Sequence, residues 1–211
     1  MQVNLSFLRK SIVNQLVNHI PFDGWTDVSL KAAYSDANID YALNDVIFPK
    51  GFVSIMQELI NIINADFIEK LNQAEFHNMG IRHKIAHVII KKLEAAQPYK
   101  EILETGSSML LIKDRKLLLK QIWKESDETW RIIGDKALDF NYYSKRSLLY
   151  IVYTKTILFW FKDKSLNNSD TIAYMYKELD NTVKFGQMLG KFKDFGKIVT
   201  KLPFIRLLFI K

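Results

Sequence analysis

Apolar residues recur every three or four positions along nearly the whole chain, which is the spacing of an amphipathic α-helix. The first stretch shows the pattern on one face, at Leu5, Leu8, Ile12, Leu16 and Ile20. The 211 residues include only 8 glycines and 4 prolines, too few for the tight turns of an all-β protein. Neither an alternating strand pattern nor an internal repeat is visible. The sequence therefore predicts an all-α fold.

Residues that end helices divide this pattern into three short N-terminal helices and about six longer ones. The first helix should stop at Pro21 and Gly24, and the second should begin at Asp27 as its N-cap. Gly106 marks a turn or a weak point in a helix, and Gly134 should end a later helix. We predict three parts, which are a helix-turn-helix-like subdomain (1–48), a larger helical body (49–182) and an amphipathic C-terminal tail (183–211).

The net charge of +7 is concentrated in this tail, which holds seven Lys or Arg residues against one acid, Asp194. The apolar members of one helical face are Phe185, Met188, Leu189, Phe192 and Phe195, and the opposite side carries Lys193, Lys197 and Lys201. Aromatic residues opposite bases are typical of a helix that lies on an anionic membrane surface. The alternative is a last core helix whose lysines are merely solvated.

The patterns that carry catalysis are missing from this sequence. The chain has no cysteine, no glycine-rich phosphate loop and no nucleophile elbow. His83 and His87 have a spacing that can chelate a metal, but no third ligand is evident, so surface or core-edge histidines are the favoured interpretation. We predict a protein that is not an enzyme, with no metal and no cofactor.

The short N-terminal helices are poorly suited to DNA. Residues 27–49 contain one base, Lys31, and four acids, Asp27, Asp36, Asp40 and Asp45. A surface of net charge −3 would be repelled by the phosphate backbone. We therefore expect no binding to nucleic acid.

The start of the chain lacks the apolar core of a signal peptide. The most apolar internal stretch, residues 148–161, is interrupted by Lys155 and is shorter than the ~20 residues of a membrane span. Lysine, isoleucine and asparagine, whose codons are AT-rich, are abundant. These features predict a bacterial cytoplasmic protein, peripheral to the inner membrane if the tail binds lipid.

The densest unusual run is WRIIGDKALDFNYYSKR at residues 130–146, which mixes Gly, Asp, Asn and adjacent tyrosines at a junction between two helices. Local preferences make Asp139 or Asn141 the N-cap of the second helix. The aromatic residues and the Lys145–Arg146 pair also suit a protein–protein contact.

This run resembles the G-D-x-S-x-D-F-N-W-Y-T-[KR]-R signature of the Coq-nine family of ubiquinone-biosynthesis proteins, reading GDKALDFNYYSKR at residues 134–146. The similarity continues through LLYIVY at 148–153 to Trp160 and Asp163. Upstream, PFDGWT at 21–26 is similar to the family's P-x-x-G-W-T/S opening. The resemblance covers roughly residues 5–185.

The resemblance implies a TetR-like all-helical fold with a degenerate helix-turn-helix and homodimers formed through late helices. It implies that the body, residues 49–182, binds an isoprenoid or quinone lipid and carries the dimer contact. It also implies a C-terminal helix on the membrane, and presentation of the lipid to the demethoxyubiquinone di-iron hydroxylase. The alternatives are a TetR-like ligand-responsive transcriptional regulator and a helical scaffold without ligand.

The same resemblance nominates residues for these contacts. The hydroxylase-binding candidates around the junction are Asp127, Trp130, Asp139, Tyr142 and Tyr143. The lipid-binding candidates, taken from the apolar helices, are Ile89, Ile122, Ile151, Phe159 and Trp160, with plain core packing as the alternative. This sequence departs from the family at Tyr142, where Trp is usual, and at Thr129, where a larger apolar residue is expected.

Overall fold

The computed structural model describes residues 4–138 and 140–190, apart from the side chains of Gln73, Phe140 and residues 185–190. Regular structure in these ranges is entirely helical, which confirms the predicted all-α class. The helices are α1 (Leu5–Asp23), α2 (Asp27–Asp36), α3 (Asn44–Ile47), α4 (Phe52–Lys70), α5 (Ile81–Ala96), α6 (Lys100–Lys113), α7 (Arg115–Ile132), α8 (Phe140–Lys162) and α9 (Ser169–Gly190). Short 3-10 turns lie at Tyr41–Leu43, Gln73–Phe76, Gln97–Tyr99 and Leu166–Asn168.

These helices form two compact units. Among the described residues, the first contains 4–71 together with Lys92–Asp114, and the second contains Asn72–Lys91, 115–138 and 140–190. These two units are defined by the packing of residues, whereas the three predicted parts are defined by expected function. The two divisions do not test each other, so the predicted division stays a prediction. Of the predicted membrane residues, Phe192, Phe195, Lys193, Lys197 and Lys201 lie outside the described residues.

The first unit is built on α1, which buries Ile12, Leu16 and Ile20 of the predicted stripe and also Val13, whereas Leu5 of that stripe is exposed. The predicted stop is confirmed at Gly24, and α1 runs through Pro21 as far as Asp23. The proline ring fixes its own backbone angle φ at about −65°, which is a helical value. A proline in the last turn therefore need not end a helix. Gly24, with φ +66°, is the C-cap, and its N–H donates to the Ile20 carbonyl at 2.8 Å.

Thr26, not Asp27, is the N-cap of α2. The Thr26 hydroxyl accepts from the Ser29 N–H at 3.4 Å, and the Ser29 hydroxyl accepts from the Thr26 N–H at 3.3 Å. This reciprocal capping box places Asp27 in the first helical position instead. The 3-10 turn at Tyr41–Leu43 is capped by Asp40, whose carboxylate accepts from the Ala42 N–H at 2.9 Å.

Gly106 lies inside α6 and marks neither a turn nor a break. A Cβ atom at this position would come within 2.8 Å of Met56 Sδ and within 2.8 Å of Trp25 Cζ2. The Trp25 indole is held there because its Nε1–H donates to Thr105 Oγ1 at 3.1 Å. Only glycine fits this contact, so the Gly-Trp-Thr sequence at 24–26 has a structural role in the first unit.

No single helix within the ranges 4–138 and 140–190 is long and apolar enough to cross a membrane. The segments Tyr41–Ile47 and Phe52–Lys70 reach the required length and hydropathy only when taken together, and they are bent by 74° at the break between them.

Candidate functional site

The junction between α7 and α8 begins with a glycine-capped helix end. The N–H of Gly134 donates to the Arg131 carbonyl at 3.0 Å, and the N–H of Asp135 donates to the Trp130 carbonyl at 2.9 Å. With Gly134 at φ +90°, this is a Schellman motif, which confirms Gly134 as the end of the helix. Because α8 begins at Phe140, Asn141 is a helical residue and not the N-cap. Asp139 lies outside the described residues.

Arg146 is the centre of the junction and is only 1% exposed. Its Nε donates to Asp127 Oδ1 at 2.5 Å, and its Nη1 donates to Asp135 Oδ2 at 3.0 Å. Its guanidinium carbon lies 3.7 Å from the centroid of the Tyr142 ring. Arg146 thereby joins α7, the connecting segment and α8, and it is not free to contact a partner as the Lys145–Arg146 prediction supposed.

Each of the two carboxylates also binds a second cation. Arg131 Nε lies 2.8 Å from Asp127 Oδ2, and Lys145 Nζ lies 2.6 Å from Asp135 Oδ1. Lys145 also lies 5.2 Å from the centroid of the Trp130 ring, and Trp130 Nε1 donates to the Lys145 carbonyl at 3.2 Å. We call these six residues the junction cluster: Asp127, Trp130, Arg131, Asp135, Lys145 and Arg146.

Both carboxylates of the junction cluster are held in the ionised form. Burial by itself would raise the pKa of Asp127, but hydrogen bonds from Arg146 and Tyr142, with the charges of Arg146 and Arg131, lower it below its ordinary value. Burial likewise opposes ionisation of Asp135, and hydrogen bonds from Lys145 and Arg146 again outweigh it, so that its pKa is lowered. The cluster is therefore a set of fixed charges at neutral pH.

Two apolar side chains beside the cluster remain accessible. Leu138 is 92% exposed in the connecting segment, and Tyr143 is 40% exposed on the first turn of α8. The Tyr143 ring meets the edge of the Tyr142 ring, with the centroids 5.0 Å apart. Of the predicted partner residues, the structure thus brings together Asp127, Trp130, Tyr142 and Tyr143, but only Tyr143 presents a large exposed side chain.

The departure at Thr129 is accommodated inside the second unit. Thr129 is fully buried, and its hydroxyl donates to the Glu125 carbonyl at 2.9 Å. It lies 2.7 Å from the hydroxyl of Tyr153, which is also buried. A larger apolar residue here would leave the Tyr153 hydroxyl without this bond, so threonine and tyrosine form a matched pair.

The predicted lipid-binding residues all belong to the second unit but differ in burial. Ile89 and Trp160 are buried, whereas Ile122 and Ile151 are half-buried. Phe159 is 37% exposed and stacks on Tyr174 with the ring centroids 4.4 Å apart. The structure therefore divides the predicted set between core and surface.

Asp163 is a structural residue whose partners the sequence did not reveal. Its carboxylate accepts from the Ser165 N–H at 2.7 Å, from the Thr171 N–H at 2.9 Å and from the Thr171 hydroxyl at 2.5 Å. Burial would raise its pKa, but the hydrogen bonds from Ser165 and Thr171 hold the pKa well below its usual range. An Asp two residues before Ser165 and shortly before a predicted helix start is the sequence signal that could have indicated this cap.

The two histidines at metal-chelating spacing have other contacts. His87 Nε2 lies 2.9 Å from Glu75 Oε2, and the His83 ring lies 6.1 Å from the Tyr176 ring. In the part of the chain that the structure describes, no group of three His, Cys, Asp or Glu residues could hold a metal ion.

Residues 116–186 match the model of the COQ9 family. Ubiquinone biosynthesis protein COQ9, mitochondrial, of Drosophila melanogaster is 22% identical over 195 residues, covering 90% of this chain and 60% of that protein. The probable ubiquinone biosynthesis protein coq9, mitochondrial, of Dictyostelium discoideum is 22% identical over 186 residues, with coverage of 84% and 60%. This chain therefore spans about 60% of the length of these curated relatives. Their names place them in mitochondria, and the cytoplasmic location of this chain stays a prediction.

The fold also matches a solved structure. The TetR transcriptional regulator from Nitrosomonas europaea ATCC 19718 superimposes with a TM-score of 0.69 over 83% of this chain and 98% of the regulator. The sequence identity is 16%, so this likeness concerns the fold alone. Together the sequence and structure comparisons confirm the resemblance to the COQ9 family of ubiquinone-biosynthesis proteins, and the chain has a TetR-like, all-α fold.

Proposed function

We propose that this chain is a non-catalytic accessory protein of ubiquinone biosynthesis. In this proposal it binds an isoprenoid or quinone intermediate and presents it to the demethoxyubiquinone di-iron hydroxylase. The observation that carries the proposal is the family match over residues 116–186, which contains the whole junction cluster. The relatives that match most of this chain are named for ubiquinone biosynthesis.

A carrier has a physical purpose in this pathway. Each buried CH₂ group contributes ~0.8 kcal/mol to retention in the bilayer, so a polyprenyl tail does not leave the membrane unaided. The core of the second unit, which includes Ile89 and Trp160, is where such a tail would be sheltered. Bases near an anionic surface contribute about 1 kcal/mol each, so the tail at 183–211 would hold the protein at the membrane.

The proposed homodimer would use the late helices. On α8, Leu158 is exposed beside the Phe159–Tyr174 stack, and Lys155 Nζ lies 2.7 Å from Glu178 Oε2 on α9. Exposed apolar side chains on α8, next to the Tyr174 ring of α9, are suited to a self-complementary contact.

The carrier function can be tested on protein purified without detergent. We expect an organic extract of the folded protein to contain about one isoprenoid or quinone molecule per chain, identified by mass spectrometry. An extract without lipid from folded protein would contradict the carrier function and favour the scaffold. A salt-sensitive shift of duplex DNA by the same preparation would instead favour the regulator.

The partner surface can be tested with the double substitution Leu138→Ser and Tyr143→Ala. Truncation of a central aromatic contact typically costs ~2 kcal/mol or more, so we expect binding of the hydroxylase to weaken about 30-fold or more, measured by calorimetry. Phe22→Ala is the matched control, because Phe22 is a highly exposed aromatic residue of the first unit. Equal affinity of the double variant and the control would place the hydroxylase contact elsewhere.

A further inference from the structure

The two halves of α7 carry opposite charge. Residues 115–124 contain four bases and no acid, whereas residues 125–132 contain three acids and one base. The four bases of the first half are all exposed, and they are Arg115, Lys116, Lys120 and Lys124. Because the three lysines recur every four residues, they form one stripe along the solvent side of the helix. We call these three residues the lysine stripe.

The bases of the first half contribute little to holding the second unit together. Lys124 Nζ lies 3.6 Å from Glu128 Oε1, one turn further along α7. Arg115, Lys116 and Lys120 form no ion pair with any residue that the structure describes. Positive charge in the first turn of a helix also opposes the helix dipole, so it does not stabilise α7. These bases are therefore available to a negatively charged surface outside the chain.

The same half of α7 carries large apolar side chains that are only partly covered. The helix packs mainly against α8, and the residues that it buries most fully, Ser126 and Thr129, lie in its second half. The large apolar residues of the first half are all half-buried, and they are Leu117, Leu118, Leu119, Ile122 and Trp123.

Two of these apolar residues border the lysine stripe. At about 100° of rotation per residue, Trp123 lies beside Lys116 on one edge of the stripe, and Leu117 lies beside Lys124 on the other. Bases bordered by an indole and a leucine are typical of a helix that lies on an anionic membrane surface. A bilayer supplies phosphates for the bases and an acyl boundary for the apolar edges, and it needs no matched shape. Lysine side chains can also extend past an apolar boundary to reach head groups.

We propose that residues 115–124 form a second membrane contact, in which the lysine stripe binds anionic lipid head groups and Leu117 and Trp123 reach the head-group boundary. This inference rests on the proposed function at the membrane and adds a contact on the body of the protein to that of the tail. Asp127 of the junction cluster lies seven residues beyond Lys120, which is ~10 Å along the helix. The contact would therefore keep the junction cluster close to the lipid surface.

The first test compares the whole chain with its double variant Lys116→Gln and Lys120→Gln by co-sedimentation with vesicles that contain phosphatidylglycerol. Each base near an anionic surface contributes about fivefold to the affinity, so the double variant should bind about 25-fold more weakly. The control is Lys136→Gln with Lys177→Gln, which removes the same charge from two exposed lysines of the second unit. Because salt screens distant charges, the control should bind within about twofold of wild type. Equal weakening of both double variants would overturn the α7 contact.

A second test locates the contact directly. The chain has no cysteine, so one introduced cysteine can carry an environment-sensitive dye. The dye on Lys120→Cys should shift its emission to the blue when the anionic vesicles are added, whereas the dye on Lys177→Cys should not. A shift at both positions or at neither would overturn the α7 contact.

The remaining outcomes separate this contact from the proposed function and from other occupants. If wild type sediments with the vesicles but the dye at position 120 does not respond, the tail is the membrane contact and the α7 contact is wrong. A shift at position 120 that follows protein concentration without vesicles would assign this face to a second copy of the chain, which also overturns the proposal. If wild type does not sediment with anionic vesicles, the proposed location at the membrane fails, and the α7 contact with it.

Discussion

Replacing Arg146 by methionine should lower the free energy of unfolding by about 3–5 kcal/mol, because it leaves two partly buried carboxylates without their shared cation. Asp127 and Asp135 lie 2.5 Å and 3.0 Å from the guanidinium nitrogens, and methionine offers neither a charge nor a donor. Urea denaturation at pH 7, followed by circular dichroism, measures the loss.

Arg131→Met is the matched control for this prediction. Arg131 binds the same Asp127 carboxylate at 2.8 Å, but its side chain is 67% exposed. Exposed ion pairs contribute about 0–1 kcal/mol, so the control should lose no more than that. Equal losses for the two variants would show that the burial of Arg146 has no energetic consequence.

Replacing Asp163 by alanine should lower the free energy of unfolding by about 2–3 kcal/mol, because hydrogen bonds to a charged acceptor are among the stronger ones. The change leaves the Ser165 and Thr171 N–H groups and the Thr171 hydroxyl without their acceptor at the start of α9. Asp170→Ala is the control, since Asp170 is exposed in the same first turn. If both substitutions lowered the free energy of unfolding equally, Asp163 would stabilise α9 only through the helix dipole and not through its hydrogen bonds.

The contribution of Asp163 should also depend on pH. Its pKa is depressed in the folded protein below the ordinary value of 3.8, so the folded state favours the ionised form. The stabilisation is therefore complete above about pH 4–5 and is lost as the pH falls toward the folded pKa. We expect the stability difference between wild type and Asp163→Asn to be largest at neutral pH and to shrink on acidification. A difference that stays constant between pH 7 and pH 3 would contradict this assignment.

The sequence could indicate much of the local structure because helix ends depend on residues that are neighbours in the chain. The stripe of α1 and the stop at Gly134 were predicted for this reason, and both are present. The error at the start of α2 is a displacement of one residue, from Asp27 to Thr26. Such ends are decided by small differences between competing caps, here between Thr26 and its neighbour.

The sequence predicted where the candidate site lies but not which contacts hold it together. The signature at 134–146 pointed to the α7–α8 junction, yet nothing in a Lys-Arg dipeptide distinguishes a solvated arginine from a buried one. Arg146 is buried because Asp127, on another helix, supplies a carboxylate at the right distance. Burial is a property of what surrounds a side chain, and that is set by packing.

Composition and short-range order were enough to establish the helical class, the family resemblance and the concentration of positive charge near one end. Which polar groups became internal depends on packing between residues that are far apart in the chain. Folding brought Gly106 against Trp25 and paired Thr129 with Tyr153. The physical reason is that the energetic effect of a buried polar group, or of a glycine without a Cβ atom, depends on the atoms that folding brings near it. The order of residues does not show which atoms those are.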